Sequence, residues 1–156
     1  MEAIHRQKMI VEGIWWVFTL LVIVIAILPI WIHVPAFPFF GQNILLIVLF
    51  ITFARYIFLL PLTFIARTKW IKVAVIASAV LFLFVTSTAL IDFRNFMDEG
   101  GLQALMSDLH VSDQSWLIWY IKREMIFFGV GSIICGFLLP IRMIVSLWRM
   151  RNKGTV

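Results

Sequence analysis

The amino-acid sequence predicts an all-α integral membrane protein, a four-transmembrane-helix bundle that forms a single membrane domain over residues 1–156. Three observations predict this class. Hydrophobic residues make up 63% of the chain and charged residues 13%, whereas soluble domains hold about 45–50% and about 25%. Four apolar stretches approach or exceed the roughly 20 residues that a bilayer requires. The Lys and Arg residues gather on one side of these stretches. A water-soluble fold is therefore excluded.

The first predicted span covers residues 14–32. Arg6 and Lys8 precede it, as basic residues precede the apolar core of a signal peptide, but this apolar run is too long for such a core. Residues 34–38 also form a poor cleavage site. We expect an uncleaved span. The following connection, residues 33–42, is rich in Pro and Phe and has no acid, Lys or Arg, so we expect it to lie against the membrane or the bundle.

The other three spans are predicted over residues 43–65, 71–91 and 125–147. They must be helices, because backbone groups in hydrocarbon have to pair within their own segment. The alternating pattern of a membrane β-barrel is absent from the sequence. Pro61 lies inside the second span and leaves the carbonyl of Ile57 without its helical partner, so we expect a kink there.

The polar part of the chain is residues 92–124, predicted as an outer loop between spans three and four. Gly100 and Gly101 interrupt it, and a short amphipathic helix is predicted after them, because apolar residues recur at helical spacing. These residues are Leu102, Leu105, Met106 and Leu109. A further helix is predicted to begin near Gln114 and to continue into span four.

The basic residues predict the orientation, since cytoplasmic flanks carry the excess of Lys and Arg. Eight of them lie on one side: Arg6, Lys8, Arg67, Lys69, Lys72, Arg149, Arg151 and Lys153. We therefore predict that both termini are cytoplasmic and that the protein is a multi-pass protein of a bacterial inner membrane. The net charge of +5 is then explained by a basic face against anionic lipid, and no nucleic-acid partner is expected.

The sequence lacks the residues that dithiol, haem and metal sites require. Cys135 is the only cysteine, so a dithiol site cannot form. The histidines His5, His33 and His110 all lie at or beyond the predicted faces, which disfavours haem and metal binding. The general plan resembles the DsbB-type thiol oxidoreductases and the four-helix cytochrome b subunits, but their cysteine pairs and in-membrane histidines are missing. We expect neither an enzyme nor a cofactor.

Arg55 is the first candidate for function, because it falls at the centre of the predicted second span and a charge at that depth is costly. Three acids border predicted spans at their faces, each roughly 15 Å or more away in depth: Glu12, Asp92 and Glu124. We expect none of them to neutralise it. If the second span begins nearer residues 37–40, Arg55 lies closer to the cytoplasmic interface. Otherwise it donates hydrogen bonds to carbonyls or hydroxyls of the bundle, pairs with an acid of another subunit, or binds an anionic headgroup, substrate or quinone oxygen.

Two further sets of residues complete the candidates. Arg142, near the inner end of span four, is a second residue for ligand or partner binding. Small residues on the same span predict close helix packing, within the chain or between subunits. They include Gly129, Ser132 and Gly136.

Two hypotheses about function follow. The first is a non-catalytic subunit or scaffold of a larger membrane assembly, held in the lipid bilayer by its own spans and completed by a membrane-protein partner or by copies of itself. The second is a small carrier or binder of an anionic or amphiphilic ligand that uses Arg55, with residues 92–124 as an outer lid.

Overall fold

The computed structural model describes residues 2–152, without the side chains of residues 2–8, 64 and 67. Within that range the chain is helical and has no strand, and four helices are long and apolar enough to cross a membrane. The prediction of an all-helical protein with four such helices is confirmed. The helices are α1 (Glu2–His33), α2 (Phe40–Phe58), α3 (Lys69–Asp98), the short α4 (Gly101–Leu105) and α5 (Val111–Asn152).

The longest helix, α5, lies at the centre of the bundle. It packs against α2 on one side and α3 on the other, while α1 packs mainly on α2. Helix α5 runs parallel to α2 and antiparallel to α3. The bundle therefore has two ends. Helices α1 and α3 begin at one of them, where α2 and α5 finish, and we call it the termini end. We call the opposite one the loop end.

Helix α2 is displaced relative to the predicted second span, residues 43–65. It begins at Phe40 and ends at Phe58, and two 3₁₀ turns then lead to α3. Pro61 explains the early end, because it has no N–H to donate to the carbonyl of Ile57. The structure thus favours the earlier start of this segment, and Arg55 lies in the last turn of α2.

The connection between α3 and α5 is shorter than the predicted loop. Helix α3 extends to Asp98 and α5 begins at Val111. Gly100 allows the turn, since its φ of +73° lies in the left-handed region that favours glycine. The five-residue α4 is shorter than the predicted amphipathic segment, and its Leu102 is buried on the bundle. Helix α5 is continuous and spans about 63 Å at about 1.5 Å per residue.

The small residues of α5 let it approach both neighbours closely. A Cβ atom at Gly129 would lie 2.8 Å from Cδ1 of Leu90 on α3, and one at Gly136 would lie 3.0 Å from Cδ2 of Leu83. The Ser132 hydroxyl donates a 2.8 Å hydrogen bond to a carbonyl of α2. These contacts lie within one chain, and they place α5 where its longer side chains reach polar groups on the other helices.

Candidate functional site

Arg55 forms an ion pair with Glu12 at the termini end. Its Nη2 lies 2.5 Å from Oε1 of Glu12, and only 5% of the arginine side chain is exposed. The expectation that no acid of this chain neutralises Arg55 is therefore wrong. The predicted second span placed Arg55 too far from Glu12 in depth. Because α2 ends early, Arg55 lies at the level of Glu12, which is near the start of the apolar part of α1.

Two aromatic rings complete the surroundings of the guanidinium group. Its central carbon lies 5.9 Å from the ring centroid of Trp15 and 5.4 Å from that of Tyr56, within the range of cation–π attraction. A guanidinium has five N–H donors. Among the described residues, Nε has no hydrogen-bond partner, and Nη2 is held by the ion pair alone. Arg55 therefore keeps donor capacity that the protein does not use.

A crevice between α1 and α2 leads to Arg55. Its volume is about 190 Å³. Phe18 and Phe58, which help to line it, are exposed, so the crevice opens on the apolar surface of the bundle. Apart from Arg55, the residues that line it are apolar: Trp15, Phe18, Phe50, Ile51, Ala54, Phe58 and Leu59.

Arg142 does not line this crevice. Its Nε donates a 3.0 Å hydrogen bond to the carbonyl oxygen of Ile57, the group that Pro61 leaves without a helical partner. A cation near the last carbonyls of a helix also interacts favourably with the helix dipole. This contact gives Arg142 a structural role at the end of α2. Ligand binding by Arg142 stays a prediction.

Lys72 is a buried residue whose position the sequence did not reveal. The sequence predicts a basic residue that flanks the third span at the cytoplasmic side. The structure instead places Lys72 in the first turn of α3 with no exposed surface. Its Nζ donates to the carbonyl of Ala66 in the second 3₁₀ turn and, at 2.8 Å, to Oγ of Ser146 on α5. Lys72 thus links the α2–α3 connection to α5 by hydrogen bonds.

Asn43 and Glu124 form a second buried polar contact at the loop end. Nδ2 of Asn43 donates a 2.7 Å hydrogen bond to Oε2 of Glu124. Sequence reasoning counted Glu124 among the loop acids, although α5 carries it into the bundle. A signal was available, because both residues stand where a predicted apolar span begins. Their pairing depends on the parallel packing of α2 and α5, which no local pattern predicts.

The described residues contain no group of three His, Cys, Asp or Glu side chains placed as metal ligands. Comparison with protein-family models, with curated proteins and with solved structures finds no significant match. The polar clusters of the described chain include the Arg55 crevice, the Arg142 and Lys72 contacts, and the Asn43–Glu124 pair.

Proposed function

We propose that the protein is a non-catalytic inner-membrane protein that binds an acidic amphiphile at Arg55, with the headgroup on the guanidinium and the apolar chain in the α1–α2 crevice. One observation carries this proposal. Among the described residues, a buried arginine with an unused Nε donor is the only charged residue that lines an otherwise apolar crevice on the surface of the bundle. A charge-assisted hydrogen bond from arginine to a phosphate or carboxylate is among the stronger polar contacts in proteins.

Glu12 has a definite part in this scheme. A buried cation without a partner is strongly destabilising, so the ion pair with Glu12 holds Arg55 in place when no ligand is bound. Glu12 is itself 22% exposed on its side chain and leaves Nε free. An incoming anionic group then adds to the guanidinium rather than replacing Glu12.

The size of the crevice restricts the ligand. Its 190 Å³ is below the roughly 300–1,000 Å³ of pockets that enclose a whole small molecule. It suits a segment of an alkyl or acyl chain whose remainder lies in the bilayer. The proposed orientation, with both termini cytoplasmic, puts Arg55 near a leaflet surface that attracts basic residues. Lys69 and Arg149, both exposed at this end, add to the attraction for acidic headgroups.

Native mass spectrometry in a mild detergent tests the proposal with two lipids of equal chain length, a phosphatidylglycerol and a phosphatidylcholine. We expect wild type to retain phosphatidylglycerol preferentially. The Glu12→Gln/Arg55→Gln double variant removes the cation without leaving a buried carboxylate alone, and it should lose at least about tenfold in affinity, about 1.4 kcal/mol. Equal retention of the two lipids by wild type, or unchanged affinity of the double variant, contradicts the proposal.

The apolar half of the site has a matched pair of variants. Ala54→Leu fills the crevice, since Ala54 lines it. Ala77→Leu makes the same change on the exposed surface of α3. We expect Ala54→Leu to weaken phosphatidylglycerol retention and Ala77→Leu to leave it unchanged. Equal effects of the two variants would indicate nonspecific lipid adsorption.

A second candidate function is a subunit or scaffold of a membrane assembly. Its support is a strip of small residues on α3, where Ala74 and Ala77 are exposed and Ser78 is half-buried. Small residues permit close approach of another membrane helix, from a partner or a second copy. Crosslinking and mass determination after mild solubilisation test it, with Ala77→Trp expected to abolish association. A monomer without co-purifying protein argues against this function.

A further inference from the structure

The Asn43–Glu124 pair has two oxygen atoms without a partner. Asn43 is completely buried and Glu124 is 9% exposed. Oδ1 of Asn43 and Oε1 of Glu124 are buried, and neither makes a hydrogen bond within residues 2–152. Leaving a buried acceptor unsatisfied costs about 1–3 kcal/mol, and more if it is charged. Both unpaired atoms are acceptors, so whatever satisfies them must donate hydrogen or carry positive charge.

No cation of the described chain fills this role. Lys122 and Arg123 flank Glu124 on α5, yet both are exposed and neither forms an ion pair with it. The Tyr120 hydroxyl is engaged, donating to the carbonyl of Ala26 on α1 at 3.0 Å. On α3, the charged residues Asp92, Arg94 and Asp98 are all exposed.

The remaining neighbours offer no compensating charge either. Helix α1 has no charged residue over residues 13–32, and His33 at its end is exposed beside the Trp116 ring. On α2, the residue that faces Glu124 is Asn43 itself. The carboxyl group therefore lies among neutral groups on every element packed against it.

We propose that Asn43 and Glu124 form a proton-binding site, in which Glu124 takes up and releases one proton. In the protonated form Oε1 becomes a donor and Oδ1 of Asn43 accepts from it, while Nδ2 continues to donate to Oε2. One proton thus satisfies both unpaired oxygens. A carboxylic acid and a carboxamide form such a pair with two parallel hydrogen bonds, because each offers one donor and one acceptor.

A metal ion fits this site less well than a proton. Calcium takes six to eight oxygen ligands and magnesium requires a near-octahedral set, whereas this pair offers two free oxygens. A groove of about 580 Å³ on the surface of the bundle is lined in part by Glu124, beside Tyr120, Arg123 and Phe127. In this proposal the proton reaches the pair from that side.

The site lies at the loop end and shares no residue with the Arg55 crevice. The inference therefore goes beyond the proposed lipid binding and does not depend on it. Loss of proton uptake in a Glu124 variant with unchanged lipid retention would separate the two.

Infrared titration of the purified protein between about pH 5 and about pH 9 tests the proposal. We expect wild type to show a protonated-carboxyl band whose intensity falls at least about tenfold as the pH rises over this range. The band should be absent in Glu124→Gln, which can still pair with Asn43, and present in Glu99→Gln, which removes an exposed carboxyl. A band that does not titrate, or no difference between wild type and Glu124→Gln, overturns the proposal.

Labelling with a hydrophobic carbodiimide gives an independent readout, because the reagent adds to protonated carboxyl groups in apolar surroundings. Peptide mapping should locate the adduct on Glu124, with labelling that falls as the pH rises. Circular dichroism checks that each variant keeps the helical content of wild type. Labelling that responds to added calcium or magnesium instead of pH indicates a metal site and overturns the proposal.

Discussion

The two ends of the bundle treat buried charge differently. At the termini end the buried and half-buried cations have partners: Arg55 has Glu12, Arg142 has the carbonyl of Ile57, and Lys72 has Ala66 and Ser146, although Nε of Arg55 stays unpaired. At the loop end Glu124 has only the amide of Asn43, and two oxygens there stay unpaired. The buried arginine at the termini end therefore has a counter-charge, whereas the buried carboxyl group at the loop end has only a neutral partner.

The difference follows from the chemistry of helix ends. The last carbonyls of a helix have no partner within it, and Arg and Lys have long side chains that donate to such oxygens. The irregular exit from α2 offers these carbonyls at the termini end. A carboxylate can only accept hydrogen bonds, so it needs donors, and among the described residues the one side chain that donates to Glu124 is Asn43.

The largest expected effect comes from removing one partner at each end. Glu12→Ala leaves Arg55 buried without a counter-charge and should reduce the free energy of unfolding by about 3 kcal/mol. At about pH 5, where the proposed site is protonated and Glu124 carries no charge, Asn43→Ala should cost about 1 kcal/mol. Unfolding in mixed micelles of mild detergent and dodecyl sulfate measures both. Equal losses would abolish the contrast between the ends.

A smaller effect is expected from two side-chain bonds to backbone carbonyls, one at each end. Arg142→Met removes a charged donor from Ile57 and should cost about 2 kcal/mol, whereas Tyr120→Phe removes a neutral donor from Ala26 and should cost about 1 kcal/mol. The same unfolding assay compares them. A larger loss for Tyr120→Phe would show that the loop end contributes more to stability than the charged contacts do.

The smallest effect is expected at two glycines, Gly131 and Gly41, that themselves line neither the Arg55 crevice nor the groove at Glu124. In Gly131→Ala the new Cβ would lie 2.7 Å from the Phe50 ring, which is confined by Phe127 and Phe128. A loss of about 1 kcal/mol is expected, since overpacking exceeds the gain in helix propensity. Gly41→Ala, with open space around it, should be neutral or slightly stabilising. A shift in thermal midpoint measures both. A stabilised Gly131→Ala would mean that α5 and the Phe50 ring can move apart at little cost.

Much of the fold could be predicted from the sequence because apolar length is a local property. The number of spanning helices and the continuity of α5 from the polar segment into the fourth span followed from composition and periodicity alone. The end of α2 was misplaced by seven residues, 58 against 65. The apolar run continues past Pro61, but the helix ends before it. Hydropathy does not register the N–H that proline lacks.

The candidate site could be predicted only in part. Arg55 was identified because a lone charge in an apolar run is visible in one dimension, but its partner Glu12 was dismissed on an estimate of depth. Lys72 and Glu124 were assigned to flanks because each borders a run of apolar residues. Only the packing of α3 and α2 against α5 decides that both are buried.

The sequence by itself determined that the chain is helical, with four helices long and apolar enough to cross a membrane and few charges within them. These properties depend on local composition and not on which helices pack together. The tertiary structure decided what those charges do. Ion pairs and hydrogen bonds act over about 3 Å, so partners such as Glu12 and Arg55, or Asn43 and Glu124, separated by 43 and 81 positions, become defined only when the helices pack.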